Sequence, residues 1–165
     1  MTGVVPVVTA YVGLGANLGD PAAAIRSACA ALDALPDTRL IACSRLYRSA
    51  PVGVSGQPDY INAVAALETR LTAQALLAAM MEIEADNGRT RDYHMAPRTL
   101  DMDLLLHGDA QIDEPRLQVP HPRMHLRAFV LAPLAELAPG LSIPGAGVVA
   151  DLLPAVANQA IEPIA

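Results

Sequence analysis

The chain contains no lysine and no tryptophan. All 11 basic residues are arginine. Every mechanism that needs a lysine is thereby excluded: a Walker A phosphate loop, a lysine Schiff base, the strand lysine of protein kinases. Aromatic rings are scarce. Tyr11, Tyr47, Tyr60, Tyr93 and Phe129 are the whole supply, so a site that stacks a flat ligand must draw on these five. Cysteine occurs only at Cys29 and Cys43, with four histidines and no paired spacing. This gives no zinc signature, and two free buried thiols are expected. No basic residue precedes Arg26, which argues against a secretory leader. No apolar run approaches the ~18 residues of a membrane span. The net charge of −6 argues against a nucleic-acid partner. A cytoplasmic protein with no membrane partner is expected. The chain has 165 residues, 53% hydrophobic and 17% charged. That suits one domain over residues 1–165 with a buried core, and a monomer is expected.

The order of elements follows from local patterns. Residues 9–14 are β-branched and apolar and read as a strand ending at Gly13–Gly15. Asp20 caps a helix with Pro21 in its first turn; Ile25, Ala28, Cys29 and Leu32 recur at helical spacing, and Pro36–Asp37 stops it. Residues 39–47 and 60–69 read as strands, separated by a Pro/Gly loop over 49–59. Thr72 caps a second helix whose stripe is Leu76, Leu77, Met80 and Ile83, ending at Asn87–Gly88. A polar loop precedes a fourth strand at 99–108. A short strand (Leu117 to Pro120), a helix from about 126 to 137 and a weak helix near 149–157 follow. The order β-α-β-β-α-β predicts an α+β, ferredoxin-like fold: an antiparallel sheet, helices packed on one face, and a C-terminal extension. The uncovered face, walled by loops 49–59 and 88–98, is the expected ligand surface.

The chemistry concentrates at two places. Asp101 and Asp103 stand in an apolar strand, and alternation puts both on one face, roughly 6.6 Å apart at Cα. Oxygen ligands so placed suit Mg²⁺. Arg89, Arg91 and Arg98 fall just before them, and guanidinium groups grip phosphate bidentately. Further on, Arg116, Arg123 and Arg127 accompany His121 and His125. His121 lies between two prolines in a fixed extended turn, and histidine at neutral pH can donate to phosphate or act in proton transfer. Gly13, Gly15 and Gly19 are spaced G-x-G-x-x-x-G; the spacing and the strand order oppose dinucleotide binding, and a tight turn is expected. Tyr60 and Asn62 share a strand face, and with Phe129 they offer rings beside an amide that can read a heterocycle edge.

Taken together, GLGANLGD (13–20), SRLYRSAPVG (44–53), QPDYINAVAALET (57–69), APRTLDMDLLLHGD (96–109) and VPHPRMHLRAFVLAPLAELAP (119–139) resemble the 6-hydroxymethyl-7,8-dihydropterin pyrophosphokinases. The resemblance implies a ferredoxin-like fold and Mg²⁺-dependent transfer of pyrophosphate from ATP to the pterin hydroxymethyl group in folate biosynthesis. It implies two Mg²⁺ ions on Asp101 and Asp103. Arg89 and Arg98 would act on the ATP phosphates, with Arg91 nearby. Arg116, His121 and Arg127 match nucleotide-side positions, and Leu77, Glu84 and Leu104 match an adenosine pocket. Tyr60 and Phe129 would sandwich the pterin, while Asn62 and the segment carrying Ser49, Ala50, Val52 and Gly53 would read its edge. Some members carry Trp and Lys before the APR block, where this chain has Tyr93, His94 and Met95. The rival reading is a ferredoxin-like regulatory module that binds a small ligand without turnover. It gives no reason for two carboxylates on one face beside three arginines.

Overall fold

The computed structural model describes residues 6–17, 19–49, 59–88 and 100–164. Strand β1 (Val8–Ala16) leads into helix α1 (Pro21–Asp33). The helix starts where its cap chemistry directs: Asp20 Oδ1 accepts from Ala23 N at 3.1 Å, with Pro21 in the first turn. Its buried face is Ile25, Ala28, Cys29 and Leu32. Asp37 takes a positive φ of 53° in the turn to the next strand, a conformation that Asp tolerates better than most residues.

The strand expected over 39–47 is two strands, β2 (Thr38–Cys43) and β3 (Tyr47–Ser49). Ser44 separates them. Its N–H donates to Val64 O, and its Oγ accepts from Val64 N and donates to Arg45 O. A side chain thus takes over a position in the ladder, and the chain bends there. Both strands pair antiparallel with β4 (Tyr60–Thr69). Helix α2 (Ala73–Gly88) begins with Thr72 Oγ1 accepting from Ala75 N at 3.0 Å. Strand β5 (Asp101–His107) closes the sheet against β1. Among the described residues every strand pair is antiparallel, and the strand neighbours run β5, β1, β4, β2.

Beyond β5 a hairpin forms from β6 (Ile112–Glu114) and β7 (Leu117–Val119). A 3₁₀ turn (Met124–Leu126) precedes helix α3 (Ala128–Leu137). A second hairpin, β8 (Ser142–Ile143) with β9 (Gly147–Val148), leads to α4 (Val149–Leu152) and a further 3₁₀ turn (Leu153–Val156). The last strand, β10 (Ile161–Pro163), pairs with β3.

Two cores sandwich the sheet. On one face Val12, Leu14, Ala65, Leu67 and Met102 pack against α1 and α2. On the other, Val64, Leu105 and Leu106 pack against Met124 and α3. Helices therefore lie on both faces, which corrects the expectation of one covered and one bare face. The reason is the C-terminal region: α3 is apolar enough to bury Val130, Leu131 and Leu134 and needs a face to bury them on. The cysteines also depart from expectation. Cys29 is buried, but Cys43 is exposed at the end of β2, and the two free thiols lie 3.1 Å apart.

Candidate active site

The face that α3 covers only in part holds a cavity of about 970 Å³, at the upper end for a small-molecule site. Strand β5 brings Asp101 and Asp103 to it, as alternation requires, while Met102 and Leu104 turn into the opposite core. Opposite the aspartates on β1 stand glycines: Gly13 pairs with Asp103 and Gly15 with Asp101. Both line the cavity. They lie inside a strand rather than in the expected tight turn; of the three spaced glycines, only Gly19 takes a positive φ, 65°. The paired β1 positions carry no side chains, so the ladder itself puts nothing across from the two aspartates. An isolated glycine in a strand is the sequence signal that would have found this.

β5 is the edge of its sheet, so the N–H of Met102, between the two aspartates, points away from β1. Glu84 on α2 satisfies it, accepting at 2.7 Å through Oε2. Glu84 also lines the cavity. Among the described residues no three His, Cys, Asp or Glu side chains converge on a metal position. Asp101 and Asp103 offer the carboxylate oxygens that suit Mg²⁺, an ion usually held by one or two carboxylates with phosphate and water oxygens. The residues present fit such an ion.

The other wall carries rings and an amide. Tyr60, Asn62 and Ser49 line it from β4 and β3, and Phe129 and Arg127 from the start of α3. Tyr60 and Phe129 are half-buried, and Phe129 also packs against the α3-side core. Asn62 is 4% exposed and donates through Nδ2 to Ser49 Oγ at 2.7 Å. The Arg127 guanidinium sits 5.4 Å from the Phe129 ring centroid, within cation–π range.

His121 is not among the lining residues, but its charge environment includes Asp103, Arg127 and Arg123. Burial pushes its pKa below the ordinary histidine value; Asp103 opposes this and the two arginines reinforce it. The Arg123 N–H donates to His121 Nδ1 at 3.1 Å. In the neutral ring the proton is thereby assigned to Nε2, a donor without net charge. Arg116 lies exposed in the β6–β7 turn; Leu77 and Leu104 belong to the helix-side core and do not line the cavity. Ala50, Val52, Gly53, Arg89, Arg91 and Arg98 lie outside the described residues. Sequence patterns gave no hint of Gln159 and Ala160, which line the cavity from the C-terminal tail.

Comparison with known proteins places this arrangement. The profile of the 7,8-dihydro-6-hydroxymethylpterin-pyrophosphokinases matches residues 11–139. A 2-amino-4-hydroxy-6-hydroxymethyldihydropteridine pyrophosphokinase of Pseudomonas aeruginosa is 49% identical over 152 residues, covering 92% of this chain and 94% of its own. The protein of that name from Haemophilus influenzae is 41% identical, covering 92% and 95%. The Pseudomonas putida protein is 53% identical over 118 residues, covering 72% and 98%. Among solved structures, a Plasmodium falciparum HPPK-DHPS with pteroate superposes with a TM-score of 0.72 at 13% identity, covering 93% of this chain. An HPPK-DHPS in complex with substrates gives 0.71 at 12% identity, covering 90%. This chain spans 43% of each of those longer chains, and at such identities they speak for the fold alone. The fold is α+β, an antiparallel sheet with packed helices. The chain belongs to the 7,8-dihydro-6-hydroxymethylpterin-pyrophosphokinase family.

Proposed function

We propose that the protein transfers pyrophosphate from ATP to the hydroxymethyl oxygen of 6-hydroxymethyl-7,8-dihydropterin, in folate biosynthesis. The hydroxymethyl oxygen bonds to the β-phosphorus, the bond from that phosphorus to the AMP oxygen breaks, and the hydroxyl proton is lost to solvent. The observation that carries this reading is that one cavity holds both the carboxylate pair and the ring-and-amide wall.

Transfers of this kind require positioning and charge neutralisation more than covalent catalysis. Mg²⁺, two ions by the family likeness, would be held by Asp101 and Asp103 and would neutralise phosphate charge. By the family likeness Arg89 and Arg98 would contact the ATP phosphates with Arg91 nearby, and Arg116, His121 and Arg127 would serve the nucleotide side. Glu84 would fix β5 so that both aspartates keep their direction. Tyr60 and Phe129 would stack the pterin, with Asn62, oriented by Ser49, reading its edge beside the 50–53 segment.

The neighbour order β5–β1–β4–β2, all antiparallel, supports the ferredoxin-like class. The return of β10 onto β3 supports a single domain over 1–165. Among the described residues no helix is long and apolar enough to cross a membrane. A cytoplasmic monomer is the companion proposal, checked by cell fractionation and light scattering.

The decisive experiment incubates the protein with ATP, Mg²⁺ and 6-hydroxymethyl-7,8-dihydropterin and measures AMP. Pterin-dependent AMP, lost on chelation of Mg²⁺, is the expected result. ADP in its place would mean attack at the wrong phosphorus. Tight pterin binding with no nucleotide turnover would establish the regulatory module instead.

A further inference from the structure

The C-terminal tail lies beyond residue 139, where the match to the family profile ends, and it returns to the cavity. Strand β10 sets Ile161 opposite Ser49, the residue whose Oγ accepts from Asn62. Two positions earlier, the Gln159 carboxamide reaches the opposite wall. Its Oε1 accepts from Ala128 N at 2.9 Å, and its Nε2 donates to Leu126 O at 2.8 Å. These two backbone atoms bracket Arg127.

Arg127 occupies the N-cap position of α3, with extended backbone (φ −123°, ψ 117°) and no side-chain capping bond. The first amides of a helix have no partner within it. An N-cap side chain reaches the second or third of them; the first, Ala128 N, finds its acceptor in a residue 31 positions downstream. The backbone on both sides of Arg127 is thus tied to Gln159, while the Arg127 guanidinium lies over Phe129 and the residue lines the cavity.

We propose that Gln159 is a positioning residue for ligand recognition: its carboxamide holds backbone 126–128 so that Arg127 and Phe129 face the cavity. The proposal rests on the pterin reading above. Gln159 is exposed, so replacing it opens no core cavity, and its effect is local.

The test is a double-mutant cycle on the full chain, reading the calorimetric dissociation constant for 6-hydroxymethyl-7,8-dihydropterin. Gln159→Met keeps the length and removes both hydrogen bonds. It is expected to weaken pterin binding about tenfold with an unchanged melting temperature. In a Phe129→Ala background the same change is expected to cost far less, because residues acting through one segment are not additive. A general structural role would leave the two penalties equal. Gln159→Glu retains the acceptor for Ala128 but loses the donor to Leu126, and is expected to fall between wild type and Gln159→Met; it replaces that variant in the cycle if the latter does not fold. Wild-type affinity in Gln159→Met, or an undiminished penalty beside Phe129→Ala, would overturn the proposal. Failure of the wild type itself to bind the pterin would overturn the functional reading, and this inference with it.

Discussion

The two faces of the sheet are made from alternate residues of the same strands, and they differ in almost every property. Toward α1 and α2, β1 sends Val12 and Leu14, β4 sends Ala65 and Leu67, and β5 sends Met102 and Leu104, all buried. Toward the cavity the same strands send Gly13 and Gly15, Tyr60 and Asn62, Asp101 and Asp103. One backbone ladder thus serves a stability face and a chemistry face. A period of two makes this possible and also rigid, since a one-residue slip would put carboxylates into the helix-side core. The comparison teaches why the site can be polar and open: its strands are anchored from behind.

If the faces are separate in function, they should fail separately. The largest effect belongs to the carboxylates. Asp101→Ala or Asp103→Ala is expected to lower turnover by about 10³-fold or more, since charge stabilisation by a bound metal is worth several kcal/mol. Unfolding midpoints should barely move, because both side chains face the cavity rather than a core. Normal Mg²⁺-dependent turnover in either variant would remove the metal assignment. The converse change is Leu67→Ala. Leu67 is 0% exposed, and its truncation is expected to cost about 3 kcal/mol in urea unfolding. Turnover per folded molecule should survive. A loss of turnover in the folded fraction would show that the two faces are mechanically coupled.

Phe129→Ala probes the border, because its ring lines the cavity while its helix packs on the sheet. Pterin affinity is expected to fall by ~1–3 kcal/mol, the scale of stacking on an aromatic ring. Calorimetry that finds the affinity unchanged would assign the ring to packing.

The helix side was the more legible of the two in the sequence. Asp20 and Thr72 announced both helix starts, the apolar stripe of α1 named its buried residues, and 60–69 read as a strand with the observed bounds. Periodicity and capping are local, and local rules suffice there. Alternation also put Asp101 and Asp103 together. What escaped depends on distant partners. Strands β8, β9 and β10 have two or three residues each, too few to show a period, and β10 exists because β3 offers it an edge. The break at Ser44 rests on Val64, twenty residues away. The capping of α3 by Gln159 leaves no mark near α3. Gly13 and Gly15 carried a signal, a glycine inside a strand, that was read as a turn.

The smallest expected effect tests how the C-terminal layer is fastened to the sheet. Glu136 on α3 accepts from Tyr47 Oη at 2.7 Å and from Arg45 through its N–H at 3.0 Å and its guanidinium at 3.3 Å. Burial pushes its carboxyl pKa up, but these three donors outweigh burial and hold it below the ordinary value. A group whose pKa is depressed on folding stabilises the protein above its unfolded pKa, and that contribution is lost as pH falls through the folded one. Glu136→Gln should therefore cost about 1–2 kcal/mol at neutral pH, the scale of hydrogen bonds to a charged group. The deficit should shrink as pH drops below the ordinary glutamate range, because the wild-type carboxyl is then neutral too. Urea unfolding of both proteins across that range gives the difference directly. A deficit that stays constant with pH would mean the ionised carboxylate is not what ties α3 to β3, and that the apolar contacts of Val130, Leu131 and Leu134 hold the layer unaided.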